Sequence, residues 1–106
     1  MGARRAIEDE IEALKAEGRA AAVSRRTVEL DQQSVGRLSR MDALQMQAMA
    51  QGQQRRREAR VAALNAALRR IELGEWGYCD DCGEEIEPRR LDADPAIARC
   101  LSCVRG

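Results

Sequence analysis

Residues 74–86 read GEWGYCDDCGEEI, and they break a chain that otherwise reads as helix. Cys79 and Cys82 stand three positions apart, and Cys100 and Cys103 repeat that spacing after seventeen intervening residues. Two such pairs at such an interval suit a four-thiolate zinc site. The physical reason is reach. Two cysteines flanking a tight turn put both sulfurs on one edge of a tetrahedron, and a second such turn closes the shell. Gly83 follows the second cysteine, where a positive φ lets backbone amides point at sulfur. Leu101 and Ser102 start a final helical turn that holds Cys100 and Cys103. Four thiolates on a divalent ion leave a net charge near minus two, and Arg89, Arg90, Arg99 and Arg105 are close enough in sequence to offset it. Because four protein ligands leave no open position, the metal is structural and not catalytic. The alternatives for the cysteines are disulfides, and iron or a redox dithiol.

Composition narrows the choice. The chain has 106 residues, one Trp (Trp76), one Tyr (Tyr78), no Phe and no His. Charged residues make up 34% and cancel to a net charge of zero. So few large apolar groups bury little surface, and a domain of this size then needs paired helices plus a metal or disulfide. The absence of His removes the usual general base and the usual zinc nitrogen ligand. No apolar run approaches the roughly 20 residues of a membrane span, and the opening MGARRAIEDEIEALK lacks the apolar core of a secretory signal. A cytoplasmic location is expected, where thiols stay reduced and disulfides are rare.

Working back from the cysteines, Val61, Leu64, Leu68 and Ile71 recur at helical spacing. The pattern extends upstream to about Arg37 through Leu38, Met41, Leu44 or Gln45, and Ala48 or Met49. Between the two parts lies QGQQRRREAR (51–60), which stays helical because only Gly52 is a poor helix former, at a cost of roughly 1 kcal/mol. An earlier helix runs over residues 4–30, with Ile7, Ile11 and Leu14 on one face. The stretch ELDQQSVGRL (29–38) loses the period and supplies turn and cap residues, so the turn is expected near 31–36. Two helices with a short connection predict an antiparallel hairpin, a two-stranded coiled coil over residues 1–73, followed by a four-cysteine zinc finger over 74–106. The fold class is therefore all-α with a small zinc finger. Met41, Met46 and Met49 read as filler of an irregular seam or as a soft partner surface. Trp76 and Tyr78 are expected to pack the junction of helix and finger.

A nucleic-acid-binding finger is not expected. Residues 72–87 hold Glu72, Glu75, Asp80, Asp81, Glu84, Glu85 and Glu87 and no basic residue, a face that repels phosphate. The basic cluster Arg55, Arg56, Arg57 and Arg60 lacks aromatic neighbours for base stacking, so it reads as a solvated helix face or a protein contact.

The segment GYCDDCGEEIEPRRLDADPAIARCLSC, residues 77–103, resembles the finger of the DksA/TraR family in its GYC, its two cysteine pairs and their interval, and its CG and RRL elements. The resemblance implies a regulator that binds RNA polymerase directly, without sequence-specific DNA binding of its own. It also implies a hairpin that enters the secondary channel with acidic residues at its tip. The family's D-x-x-D-x-A tip pattern is absent here, and Asp31, Ser34 and Gly36, with Asp42 further along, stand in its place. Of the three positions at which the family holds cations for guanosine tetraphosphate, only Arg56 is a cation, the others being Ala63 and Val104, which argues against a response to that nucleotide.

Three functions compete: a polymerase-binding regulator, a zinc-stapled adaptor whose hairpin binds another protein, and a thiol redox enzyme. The last is disfavoured because a reactive dithiol needs nearby cations or a helix N-terminus, whereas Cys79 and Cys82 lie among acids.

Overall fold

The computed structural model describes the backbone of residues 2–35 and 40–105 and the side chains of residues 2–26 and 40–105. Among the described residues four helices follow in chain order: α1 (Gly2–Val35), α2 (Arg40–Leu73), α3 (Pro88–Ala93) and α4 (Leu101–Arg105). The fold is all-α, an antiparallel helical hairpin followed by a small cysteine-rich finger. Among the described residues the extended structure amounts to one isolated antiparallel bridge between Tyr78 and Glu85.

The chain divides into two compact units. The first joins Met1–Ile11 to Val61–Gly106, and the second is Glu12–Arg60. In the first, the buried helical side chains are Ile7 and Ile11 from α1 and Leu64 and Ala67 from α2. Spacings of four and of three keep each pair on one helix face. Full burial of an Ile or Leu side chain contributes about 1.5–3 kcal/mol, so this small cluster is the main apolar support of the helix pair. Val61, Leu68 and Ile71 flank it half-buried.

No described side chain in Glu12–Arg60 is buried. The helices meet there across a polar seam. A Cβ on Gly18 would lie 3.5 Å from Gln54 Oε1 and 3.8 Å from Arg57 Nε, so α1 presents bare backbone to α2. Arg57 donates to Gln54 Oε1 through Nε (3.2 Å) and Nη2 (2.8 Å), and Gln54 Nε2 donates to Glu58 Oε2 at 3.0 Å. The polar run 51–60 is helical, as its composition predicts. The apolar positions upstream behave otherwise: Met41, Leu44 and Met49 are 72%, 58% and 66% exposed, while Ala43 and Ala50 are half-buried. Small and amide side chains fill this seam, which leaves the larger apolar groups outside.

The turn expected near 31–36 is corrected in part. Helix α1 continues through Asp31 and Ser34 to Val35. Asp and Ser cost a helix interior no more than about 0.7 kcal/mol each relative to Ala, too little to stop it. Gly36, the strongest breaker in the stretch, lies with residues 37–39 outside the described residues.

Candidate metal centre

The finger begins with the way α2 stops. Gly74 has φ +74°, and its N–H donates to the Ile71 carbonyl (3.1 Å) while the Glu75 N–H donates to the Arg70 carbonyl (2.8 Å). These are the two bonds of a Schellman cap, in which a left-handed residue, usually Gly, satisfies the last helical carbonyls. The chain then turns back on itself through residues 94–98. Trp76 Nε1 donates to the Pro95 carbonyl at 2.9 Å and Arg70 Nη2 to the Ala96 carbonyl at 3.2 Å. Asp94 shapes that loop by accepting the Ala96 N–H on Oδ1 (3.0 Å), and the Ala98 carbonyl accepts the Asp80 N–H at 2.8 Å. Trp76 thus packs the junction as expected. Tyr78, which forms the bridge to Glu85, is more open and 47% exposed.

Each cysteine pair sits on a tight turn. In the first, the Cys79 N–H donates to the Glu84 carbonyl (2.8 Å), the Ile86 N–H to Gly77 (2.8 Å) and the Gly83 N–H to Cys79 (3.0 Å). Gly83 has φ +78°, the left-handed conformation its position after Cys82 predicts. In the second, α4 begins at Leu101, and the Val104 N–H bonds to the Cys100 carbonyl at 3.1 Å. The finger's core is Cys79, Ile86 and Cys100, with Leu91, Ile97 and Cys103 packed against it. Pro88 opens α3, where the fixed φ of proline suits a first helical turn, and that helix carries Leu91.

The four Sγ atoms of Cys79, Cys82, Cys100 and Cys103 all lie within 4.8 Å of one another, and those of Cys82 and Cys100 are 3.7 Å apart. Sulfurs bonded to one tetrahedral zinc at about 2.3 Å stand about 3.8 Å apart. All four cysteines are free thiols. The donor set and spacing fit zinc, the cofactor of this finger, and the four cysteines could hold it with no position left open.

Electrostatics agree. Backbone N–H groups of Cys100, Cys82 and Asp81 point at the Cys79 sulfur and pull its pKa down to about 6 against the opposing effect of burial. The Cys103 thiol is pushed up to about 12 by the sulfurs of Cys100, Cys79 and Cys82 and by burial. For Cys82, the Glu84 N–H acts downward, but burial and the sulfurs of Cys100 and Cys79 outweigh it and leave the thiol raised. Crowded sulfurs without a cation cannot all ionise, and a divalent ion is what lets them.

The remaining candidate residues fall elsewhere. Asp31 and Ser34 lie in α1 with side chains outside the described residues, and Gly36 lies outside them altogether. Asp42 is exposed in the first turn of α2. Arg56 is exposed on α2 and lines a shallow concavity with Leu14, Glu17, Gln53, Arg57 and Arg60. Sequence reasoning missed the roles of Arg70, Arg90 and Arg99, all of which donate to backbone carbonyls, at Ala96, Arg99 and Cys103 respectively. Such acceptors exist at every residue and leave no signature in a sequence. Among the described residues, no helix is long and apolar enough to cross a membrane.

Comparison with known proteins places the finger. Residues 74–105 match the family described as the prokaryotic dksA/traR C4-type zinc finger. The chain is 45% identical over 40 residues to the RNA polymerase-binding transcription factor DksA of Haemophilus influenzae, covering 38% of this chain and 28% of that protein. With the protein of the same name from Escherichia coli K12 the identity is 37% over 43 residues, 41% of this chain and 28% of the relative. These matches span less than a third of the length of either relative. The fold is similar over nearly the whole chain to that of the transcription factor DksA2 from Pseudomonas aeruginosa. That likeness has a TM-score of 0.74 at 23% identity and covers 97% of this chain and 78% of the other. The finger of this chain, residues 74–105, is thus similar to the dksA/traR C4-type zinc finger, and it follows a helical fold similar to that of DksA2.

Proposed function

We propose that this protein is a bacterial, cytoplasmic transcription regulator that binds RNA polymerase through its helical hairpin, in the secondary channel, and has no enzymatic activity. The observation that carries the reading is a DksA-type finger on a DksA-type fold, since the relatives that share the finger are named for binding RNA polymerase. In this reading Cys79, Cys82, Cys100 and Cys103 are the zinc ligands. The bound ion supplies a cross-link between two loops and no chemistry on a substrate, because a filled tetrahedral shell admits neither water nor substrate. The acidic segment 72–87 keeps the finger off nucleic-acid phosphate, so the partner is the polymerase and not a DNA sequence.

Asp31, Ser34, Gly36 and Asp42 are the tip residues of this proposal, and a carboxylate brought near the polymerase's active-site magnesium would act electrostatically. Arg56 is the cation offered to polymerase or to an anionic effector, and a response to guanosine tetraphosphate is not part of the proposal. A second reading, a zinc-stapled adaptor for another protein, is favoured by the exposed Met41, Leu44, Met46 and Met49 on a helix with no charged residue from Ala43 to Gln54. Exposed methionines are adaptable contact groups. The test is binding of labelled protein to purified polymerase at micromolar concentration and moderate salt. Binding is expected, and Asp31→Ala should leave affinity nearly intact while reducing any effect on transcription. Absence of binding overturns the regulator in favour of the adaptor.

A further inference from the structure

Arg99 stands immediately before the second cysteine pair, and its side chain reaches back to the first. Its Nε lies 2.6 Å from Asp81 Oδ2, between Cys79 and Cys82. Its Nη2 donates to the Cys103 carbonyl at 2.9 Å. Its own carbonyl is fixed in turn by Arg90 Nη2 at 3.2 Å, and Arg90 Nε sits 3.6 Å from Glu87 Oε2. One guanidinium therefore ties a residue of the first cysteine turn to a residue of the second, and its backbone is anchored to α3. The same group sets a full positive charge beside a shell whose four thiolates and divalent ion sum to about two negative charges.

We propose that Arg99 is the positioning residue of the zinc centre, a two-point latch that holds the two cysteine turns at the separation the ion requires. Both partners of the ion pair are about half exposed, at 51% and 50%, and an exposed pair by itself is worth little. The latch works differently. For zinc to leave, the turn carrying Cys79 and Cys82 must separate from the turn carrying Cys100 and Cys103, and that separation must break the Asp81 and Cys103 contacts together. Groups one step out from metal ligands commonly change metal affinity by about 10–100-fold, and the exposure of this pair puts Arg99 at the lower end.

The experiment measures zinc transfer from the full chain to a chromophoric chelator, with helix content recorded for every variant. Arg99→Gln should release zinc about tenfold faster than wild type. Arg99→Lys keeps the charge but replaces the planar fork of separate nitrogens by a single nitrogen, which does not reach both partners with the fork's geometry, and it should still release zinc several-fold faster. Asp81→Ala separates geometry from charge. It removes an anion next to an already negative shell, which would slow release if charge alone mattered, and it leaves Arg99 Nε without its acceptor, which should speed release. Arg89→Gln, removing one positive charge from the same finger, should stay within about twofold. The proposal is overturned if Arg99→Gln releases zinc at the wild-type rate, if Arg99→Lys restores that rate in full, if Asp81→Ala slows release, or if Arg89→Gln matches Arg99→Gln. Should Arg99→Gln fail to fold, the direction of the Asp81→Ala change decides.

Discussion

Removal of the metal should unfold the finger and spare the helices, and Trp76 is placed to report it. The finger's buried set is Ile86 with two cysteines, the Leu91 and Ile97 packed against it are half-buried, and Leu101 and Val104 are exposed. Burial of Ile86 contributes about 1.5–3 kcal/mol, whereas zinc in small four-ligand fingers contributes about 10–16 kcal/mol near neutral pH. The ion is the dominant support. Helices α3 and α4 hold six and five residues against 34 in each of α1 and α2, so their loss takes away roughly one-seventh of the helical residues. The core of Ile7, Ile11, Leu64 and Ala67 contains no finger residue and should survive. A chelator titration, or Cys82→Ser, should therefore shift the emission of Trp76 to the red as its indole N–H loses the Pro95 carbonyl, while circular dichroism falls by no more than about a fifth. Because Trp76 is the sole tryptophan, the signal has one source. Unchanged emission after complete metal removal, or a helix signal that collapses in step with it, would refute the reasoning.

Three further outcomes follow from the same geometry. Leu64→Ala, at a fully buried position, should destabilise the helix pair by about 2–4 kcal/mol and lower its thermal midpoint by 10 °C or more, measured on the helix signal; a shift below about 3 °C would count against that core. Gly83→Ala meets no atom within 4 Å but must adopt φ +78°, so it should weaken zinc binding by about five- to thirtyfold, in line with about 1–2 kcal/mol for a non-glycine residue in that region. Zinc binding at pH 7 should release at least about two protons, because Cys103, pushed up to about 12, and Cys82, also raised, hold protons until metal displaces them. Metal-dependent stability is then present at neutral and alkaline pH and lost on acidification, more steeply below about pH 6, where Cys79 also takes up a proton. Calorimetry in buffers of different ionisation enthalpy counts the protons, and a pH-independent affinity would exclude the crowded shell.

The metal centre was the most legible part of the sequence, because thiol spacing and a glycine after the second cysteine state the geometry almost directly. The helices were legible in type and at the end of α2, where Gly74 follows the last apolar residue and supplies the cap. The end of α1 was misread, since Asp31 and Ser34 are at home in turns yet too weakly disfavoured to stop an established helix. The upstream apolar period, Met41 with Leu44 or Gln45 and Ala48 or Met49, does not face the seam, and a period does not reveal that Gly18, Gln54 and Arg57 have taken it; of the two readings of the methionines, exposure favours the partner surface. Hydrogen bonds from Arg70, Trp76 and Arg99 to carbonyls were not legible, as any residue supplies the acceptor. The tip assignments of Asp31, Ser34, Gly36 and Asp42 rest on the sequence alone.

Arg70 serves the junction twice. Its carbonyl receives the cap that ends α2, and its guanidinium holds the loop that carries the finger back. It lies six positions beyond Leu64, whose face is committed to the core, and both of its partners lie further downstream still. A single residue inserted between Leu64 and Arg70 would turn everything beyond it by about 100° and advance it by about 1.5 Å, yet Arg70, Trp76 and the loop would keep their register with one another. The junction is a self-contained knuckle. Length changes on its α2 side re-aim the finger without dismantling it, whereas one inserted residue between Arg70 and Trp76 parts the cap from the loop.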